Sequence, residues 1–191
     1  VIRDVSFPAS LPQAHPGLWD VLTEFRATLV DCGAQGQDER DAAAANQCFY
    51  LCLATAGQPA NHPHASRALA IRRRIEAAVL ARHPGWVDPA GPDARAFADF
   101  LVDGLPALPD HRRHAVAIYD GAEGTCVVYR SPTWRDPVAP VIGLLHSDGH
   151  YQLLRWGRPV AGPFLQALLN SHAVTRHGAP RVAALVIDTV A

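Results

Sequence analysis

The residues of this 191-residue chain best suited to chemistry are four cysteines, at positions 32, 48, 52 and 126, and ten histidines. A thiol attacks only as thiolate, and a free thiol at neutral pH is mostly protonated, so a reactive cysteine needs an electropositive setting and a base. Cys48 has the setting. It opens an almost wholly apolar run, Gln47 to Ala56, and follows a polar, Gly-containing stretch. Where a helix starts, about half a positive charge and unpaired backbone N–H groups favour the thiolate. The same N–H groups, with those of the preceding loop, can hold the oxyanion of a tetrahedral intermediate. Taken alone, Cys48 reads more readily as a small buried hydrophobe. That reading is kept for Cys52, one turn deeper in the run, and for Cys126, inside a strand pattern. Cys32 falls in a loop with no obvious partner.

A thiol nucleophile takes its base most often from histidine. His62, His64, His83, His111, His114, His172 and His177 lie near loops or helix ends, where a solvated ring is the default, and His15 lies in an irregular stretch. His146 and His150 bracket the turn Ser147-Asp148-Gly149. His150 begins a strand directly after a glycine that lets the backbone turn sharply. Spacing alone leaves His150 as one of two or three candidates. The competing constellation is a metal site built from Cys48, Cys52, His62 and His64. Its spacing fits no standard zinc pattern, and two cysteines at i, i+4 inside an apolar helix suit a solvent-facing ion poorly. No metal and no cofactor are expected.

The elements that must position these groups follow from periodicity. Leu18, Leu22, Phe25 and Leu29 recur at helical spacing, so a helix is expected over Gly17–Val30, after a loop over Ser10–Pro16 and before a surface loop over Asp31–Asp41. Gln47–Ala56 reads as a buried helix, because alanine and leucine dominate its second half. His64–His83 reads as a long helix with a cationic outer face, stopped by Pro84-Gly85. Asp93–Val102 reads as another, capped by Asp93 and ended by Gly104. The pattern then switches to strands over Ala115–Tyr119, Thr125–Tyr129, Val138–Leu145 and His150–Trp156. A helix over Pro163–Val174 and a β-branched strand over Val182–Val190 close the chain. Helices in the first half and strands in the second argue for an α+β domain, helices packed on a mostly antiparallel sheet.

The length suits one domain over 1–191. Net charge is −1, with no clustered basic excess of the kind a nucleic-acid surface needs. Arg72-Arg73-Arg74 is read as a solvated helix face, the functional alternative being a patch for an acidic partner. No run reaches the ~20 apolar residues of a membrane span, and none has the form of a secretory signal. Few cysteines without a repeating spacing point to a reducing compartment, the cytosol of the source or of a host. The absence of methionine is read as a sign of excision from a larger protein.

Two segments together resemble the ovarian-tumour (OTU) family of deubiquitinating cysteine proteases. Asn46-Gln47-Cys48-Phe49-Tyr50-Leu51 resembles the family's cysteine box, commonly Asp-Gly-Asn-Cys followed by Leu or Phe and an aromatic. The run from Val141 to Leu154 resembles its histidine box, an apolar strand, a short turn, then His150-Tyr151 opening the next strand. The resemblance is clearest over residues 46–156. It implies a papain-like fold, Cys48 as nucleophile and His150 as general base. It implies ubiquitin, polyubiquitin or a ubiquitin-like modifier as partner, cut after its C-terminal Gly-Gly. The channel for that tail would lie between the Cys48 loop and Ser147, Asp148 and Gly149. Two positions depart from the pattern. The acid usual three residues before the cysteine is Ala45, and the next position is Asn46, so the oxyanion donors would be backbone N–H groups near Asn46 and Gln47. The acid or amide often found two residues after the histidine is Gln152. Three alternatives follow: Gln152 orients the ring, an acid from Asp31–Asp41 does, or the site works as a dyad. Three functions follow as expectations: a deubiquitinase, a non-catalytic ubiquitin-binding module, or another papain-like thiol hydrolase or acyltransferase.

Overall fold

A computed structural model describes residues 2–33, 47–56, 65–86, 115–120, 125–130 and 141–157. In chain order the elements are β1 (Arg3–Val5), α1 (Leu11–Ala14), α2 (Pro16–Glu24), β2 (Thr28–Asp31), α3 (Cys48–Thr55), α4 (Ala65–Arg82), β3 (Ala115–Asp120), β4 (Thr125–Arg130), β5 (Val141–Ser147) and β6 (His150–Arg155). The strands form one sheet in the order β1-β2-β6-β5-β3-β4. Every neighbouring pair is antiparallel except β3 with β5. The fold class is therefore α+β with a mostly antiparallel sheet.

Strands present alternate residues to opposite faces, and here each face carries its own helices. Val30, Val116, Ile118, Leu144, Tyr151 and Leu153 pack with α3 and with Ala68, Ile71, Ile75 and Val79 of α4. Leu29, Ala117, Tyr119, Leu145 and Leu154 pack with Leu11 and with Leu18, Val21, Leu22 and Phe25 around α2. The sheet is a middle layer. Helix α3 is buried on every side, as its apolar run implies.

The first segment departs from the sequence reading. The helix expected to run to Val30 stops at Glu24, and Thr28–Asp31 is a strand. Arg26 takes a left-handed φ of 50°. Ala27 N–H donates to Leu22 C=O at 2.8 Å and Arg26 N–H to Thr23 C=O at 3.0 Å, which is the Schellman pattern with arginine where glycine is usual. Gly157 N–H donates to the carbonyls of Phe25 and Arg26 at 3.1 and 3.2 Å. A side chain at Gly157 would meet Arg26 Cβ at 2.7 Å, so this close approach requires glycine. Ser10–Pro16, read as a loop, holds the one-turn helix α1. Two strands of the first half thus join the sheet of the second.

The remaining described elements sit close to expectation. Helix α4 ends before Pro84-Gly85, as read. Strand β5 runs on to Ser147, and a two-residue turn joins it to β6 with Ser147 opposite His150. Asp148 and Gly149 both have positive φ, 52° and 73°, the type I′ geometry that Asp-Gly favours between antiparallel strands. Arg72 corrects the solvated-face reading. It is only 6% exposed; its Nε donates to Glu76 Oε1 at 2.9 Å, and its guanidinium lies 5.3 Å from the Tyr50 ring centroid. Arg67, Arg73, Arg74 and Arg82 are exposed. The helices expected over Asp93–Val102 and Pro163–Val174 and the strand over Val182–Val190 lie outside the described residues.

Candidate active site

Cys48 is the first residue of α3, with Gln47 as its N-cap. The Gln47 carbonyl accepts from Leu51 N–H at 2.8 Å, which fixes the helix start. The thiol is nearly buried, at 8% exposure. Burial pushes its pKa above the ordinary thiol value, and the Asp31 charge adds to that; backbone N–H groups of Tyr151, Phe49 and Cys48 pull the other way. The expected stabilisation by the helix start is therefore present, but desolvation outweighs it in the free protein. Of the two backbone donors expected for an oxyanion, Asn46 lies outside the described residues. The N–H groups that act on the sulfur are those of Tyr151, Phe49 and Cys48.

His150 opens β6 directly after the Asp148-Gly149 turn. Its Nε2 lies 3.2 Å from Asp31 Oδ1. Burial raises the Asp31 carboxyl, but Gly33 N–H at 2.8 Å, His150 and Arg3 together hold it below the ordinary carboxylate range. An ionised carboxylate only accepts, so the proton of this bond sits on Nε2. That tautomer leaves Nδ1 free to accept a proton.

Asp31 is the last residue of β2, not a loop residue. Strand β2 pairs with β6 through Thr28↔Arg155, Leu29↔Leu154 and Val30↔Leu153. One more step places Asp31 opposite Gln152 and diagonal to His150, within reach of a short side chain. Of the orienting groups left open by the sequence, the structure brings Asp31 to the ring. Gln152 shares the His150 face of β6, paired with Leu145 of β5, and is not hydrogen-bonded to His150 among the described residues. His146, the rival base, is half-buried with its ring 4.5 Å from that of Tyr151, and burial pulls its pKa down.

Tyr151, next to His150, is a residue of β6 that touches the nucleophile helix. Its N–H reaches the Cys48 sulfur, and its carbonyl accepts from Cys52 Sγ at 3.6 Å. Its ring packs edge-on against Phe49, with centroids 5.2 Å apart. Among the described residues, the His150 ring has Asp31 as its partner and the Cys48 thiol has backbone N–H groups; the two side chains are not hydrogen-bonded to each other. Ser147, Asp148 and Gly149 form the turn beside His150; residues 34–46, expected from the sequence to line the other side of the channel, lie outside the described residues. Cys32, read as partnerless, is buried, and the neighbouring Cys52 and Thr55 side chains pull its pKa below the ordinary thiol value. His62 and His64 of the rival metal set also lie outside the described residues, and among those described no group of three or more His, Cys, Asp or Glu side chains could hold a metal ion. No described helix is long and apolar enough to cross a membrane.

No protein-family model, curated protein or solved structure matches the chain.

Proposed function

We propose that this protein is a thiol hydrolase in which Cys48 is the nucleophile, His150 the general base and Asp31 the residue that orients it. The carrying observation is the 3.2 Å contact of His150 Nε2 with Asp31, on a strand whose next residue offers its N–H to the Cys48 sulfur. In this reading Nδ1 of His150 takes the thiol proton, and the thiolate attacks the substrate carbonyl carbon. Backbone N–H groups around Cys48 stabilise the resulting oxyanion. On collapse, the imidazolium gives its proton to the leaving amine, and an acyl thioester remains on Cys48. His150 then deprotonates a water, which attacks the thioester and releases the acid and the thiol. A base–thiol bond that is slack in the free enzyme commonly tightens around substrate.

The resemblance of residues 46–51 and 141–154 to the OTU cysteine and histidine boxes supports a narrower reading. The substrate is ubiquitin or a ubiquitin-like modifier, cut after its C-terminal Gly-Gly. The test is ubiquitin carrying an electrophile at its C-terminus. Adduct formation at Cys48, lost in Cys48→Ala, is expected; intact, folded protein without an adduct overturns the substrate assignment. The raised Cys48 pKa favours one second reading, a module that binds ubiquitin without turnover. That reading predicts binding that survives His150→Ala, and turnover of a fluorogenic ubiquitin conjugate excludes it.

A further inference from the structure

The register of β2 on β6 places one more residue in the argument. Two steps beyond Val30↔Leu153, Cys32 would stand opposite Tyr151. The chain does not take that position. It leaves the strand after Asp31, with Gly33 at φ +87° and its N–H on the Asp31 carboxylate. Leaving the ladder there is what frees the Asp31 side chain for His150. It also leaves a backbone N–H and C=O of β6 to be met by something other than a strand, because buried peptide groups require partners. Two thiols one turn apart on α3 meet them: Cys48 at the N–H and Cys52 at the carbonyl. Cys52 is 0% exposed, and its thiol influences that of Cys32, the residue that follows Asp31. One side chain therefore touches the neighbours of both the base and the acid, while sharing a helix with the nucleophile.

We propose that Cys52 is a positioning residue of this site. It takes the place of the strand partner at Tyr151 and so fixes the nucleophile helix against the strand that carries His150. The inference rests on the reading of Cys48 as the nucleophile. Burial keeps the Cys52 thiol protonated well beyond neutral pH, so it acts as a donor and not as a second nucleophile. Without its bond the Tyr151 peptide loses one of its restraints, and the N–H that helps to stabilise the Cys48 thiolate is weakened.

The test compares the whole protein with Cys52→Ser, which keeps a donor, and Cys52→Val, which fills the space without one. Cys52→Ala replaces Cys52→Val if valine does not fold. The measurement is the rate of iodoacetamide alkylation at Cys48, resolved by peptide mass spectrometry between about pH 7 and pH 11.5, beside thermal unfolding at the same pH values. The expected result is an upward shift of the alkylation midpoint in Cys52→Val by about one pH unit, which is about tenfold less thiolate below the midpoint. Cys52→Ser should keep the wild-type midpoint. A purely structural role would lower the melting temperature of Cys52→Val and leave its midpoint unmoved, and that result overturns the proposal. A wild-type Cys48 that alkylates as it does in the unfolded chain would strike the nucleophile reading itself, and the positioning role with it.

Discussion

Phe49 and Tyr151 meet edge to face, ring centroids 5.2 Å apart, and each follows a residue of the proposed site by one position. The packing of one aromatic pair therefore bears on the placement of Cys48 and His150 together. Phe49 is 4% exposed and also touches the Tyr50 ring at 5.3 Å. Phe49→Leu keeps most of the volume but removes edge-to-face geometry worth about 0.5–1.5 kcal/mol. It should lower stability by about 1–2 kcal/mol in urea unfolding, and Phe49→Ala by about 3–5 kcal/mol. An unchanged urea midpoint in Phe49→Ala would contradict the packing described.

Asp31→Asn tests the acid. An amide in that place can donate to the ring as well as accept, so the tautomer with Nδ1 unprotonated is no longer selected. Turnover should fall by about 10²–10⁴-fold with KM little changed, as for other acid–base sites that lose their orienting group. Gln152→Ala should stay within about twofold of wild type, because its side chain is not on the ring. Equal losses in the two variants would return Gln152 to the site.

Acid unfolding should report the same carboxylate. Asp31 has a folded pKa below its ordinary value of 3.8. A group with a depressed folded pKa stabilises above the unfolded value, and the stabilisation is lost as pH falls through the folded one. The expected loss therefore begins near pH 4 to 5 and completes below the folded pKa. Asp31→Asn should have a flatter stability profile over that window, measured by urea unfolding at a series of pH values.

The alkaline limit has the opposite sign. Cys48 and Cys52 both have folded pKa values above the ordinary thiol value of 9.0, burial being the first cause. Their neutral forms are favoured in the folded state, so this stabilisation is complete below about pH 9 and is lost as pH rises through the folded values. Cys52→Ser carries no group that titrates in that range. Its stability should decline less steeply above pH 9 than that of the wild type.

Arg26→Gly tests the helix end. A side chain at φ 50° costs roughly 1 kcal/mol in the left-handed region, which glycine escapes at the expense of greater freedom when unfolded. The net expectation is a gain of up to about 1 kcal/mol in thermal or urea unfolding. A clear loss would mean that the arginine side chain contributes more than its backbone costs.

That same residue explains what the sequence hid. The apolar positions 18, 22, 25 and 29 continue a helical period past Glu24, and no glycine or proline interrupts them. The break comes from Arg26 adopting a conformation it does not favour, held by carbonyls capped from Gly157, far along the chain. With the helix overextended, β2 could not be seen, and Asp31 read as the first residue of a loop. By contrast α3 was legible, because an apolar run that long must be buried. So was the start of β6, because Asp148-Gly149 carries its own turn geometry. Arg72 was misread because its burial depends on Tyr50 and Glu76 arriving together, which a charge run cannot convey. The nucleophile and base candidates were thus visible as local signals, while the acid was narrowed only to Asp31–Asp41 and singled out by strand register.

The pairing of β2 with β6 also bears on when the molecule becomes whole. Asp31 and His150 are separated by 119 positions, yet their contact depends on adjacent strands in the middle of one sheet. Closing a loop of that length costs more chain entropy than any local hairpin, and nonlocal pairing of this kind slows folding. During synthesis from the N-terminus, Asp31 and Cys48 emerge long before the strand that carries His150. A nascent chain therefore holds its thiol without a base until β6 is available to join the sheet, and the hydrolase proposed here is silent until the end of its own assembly.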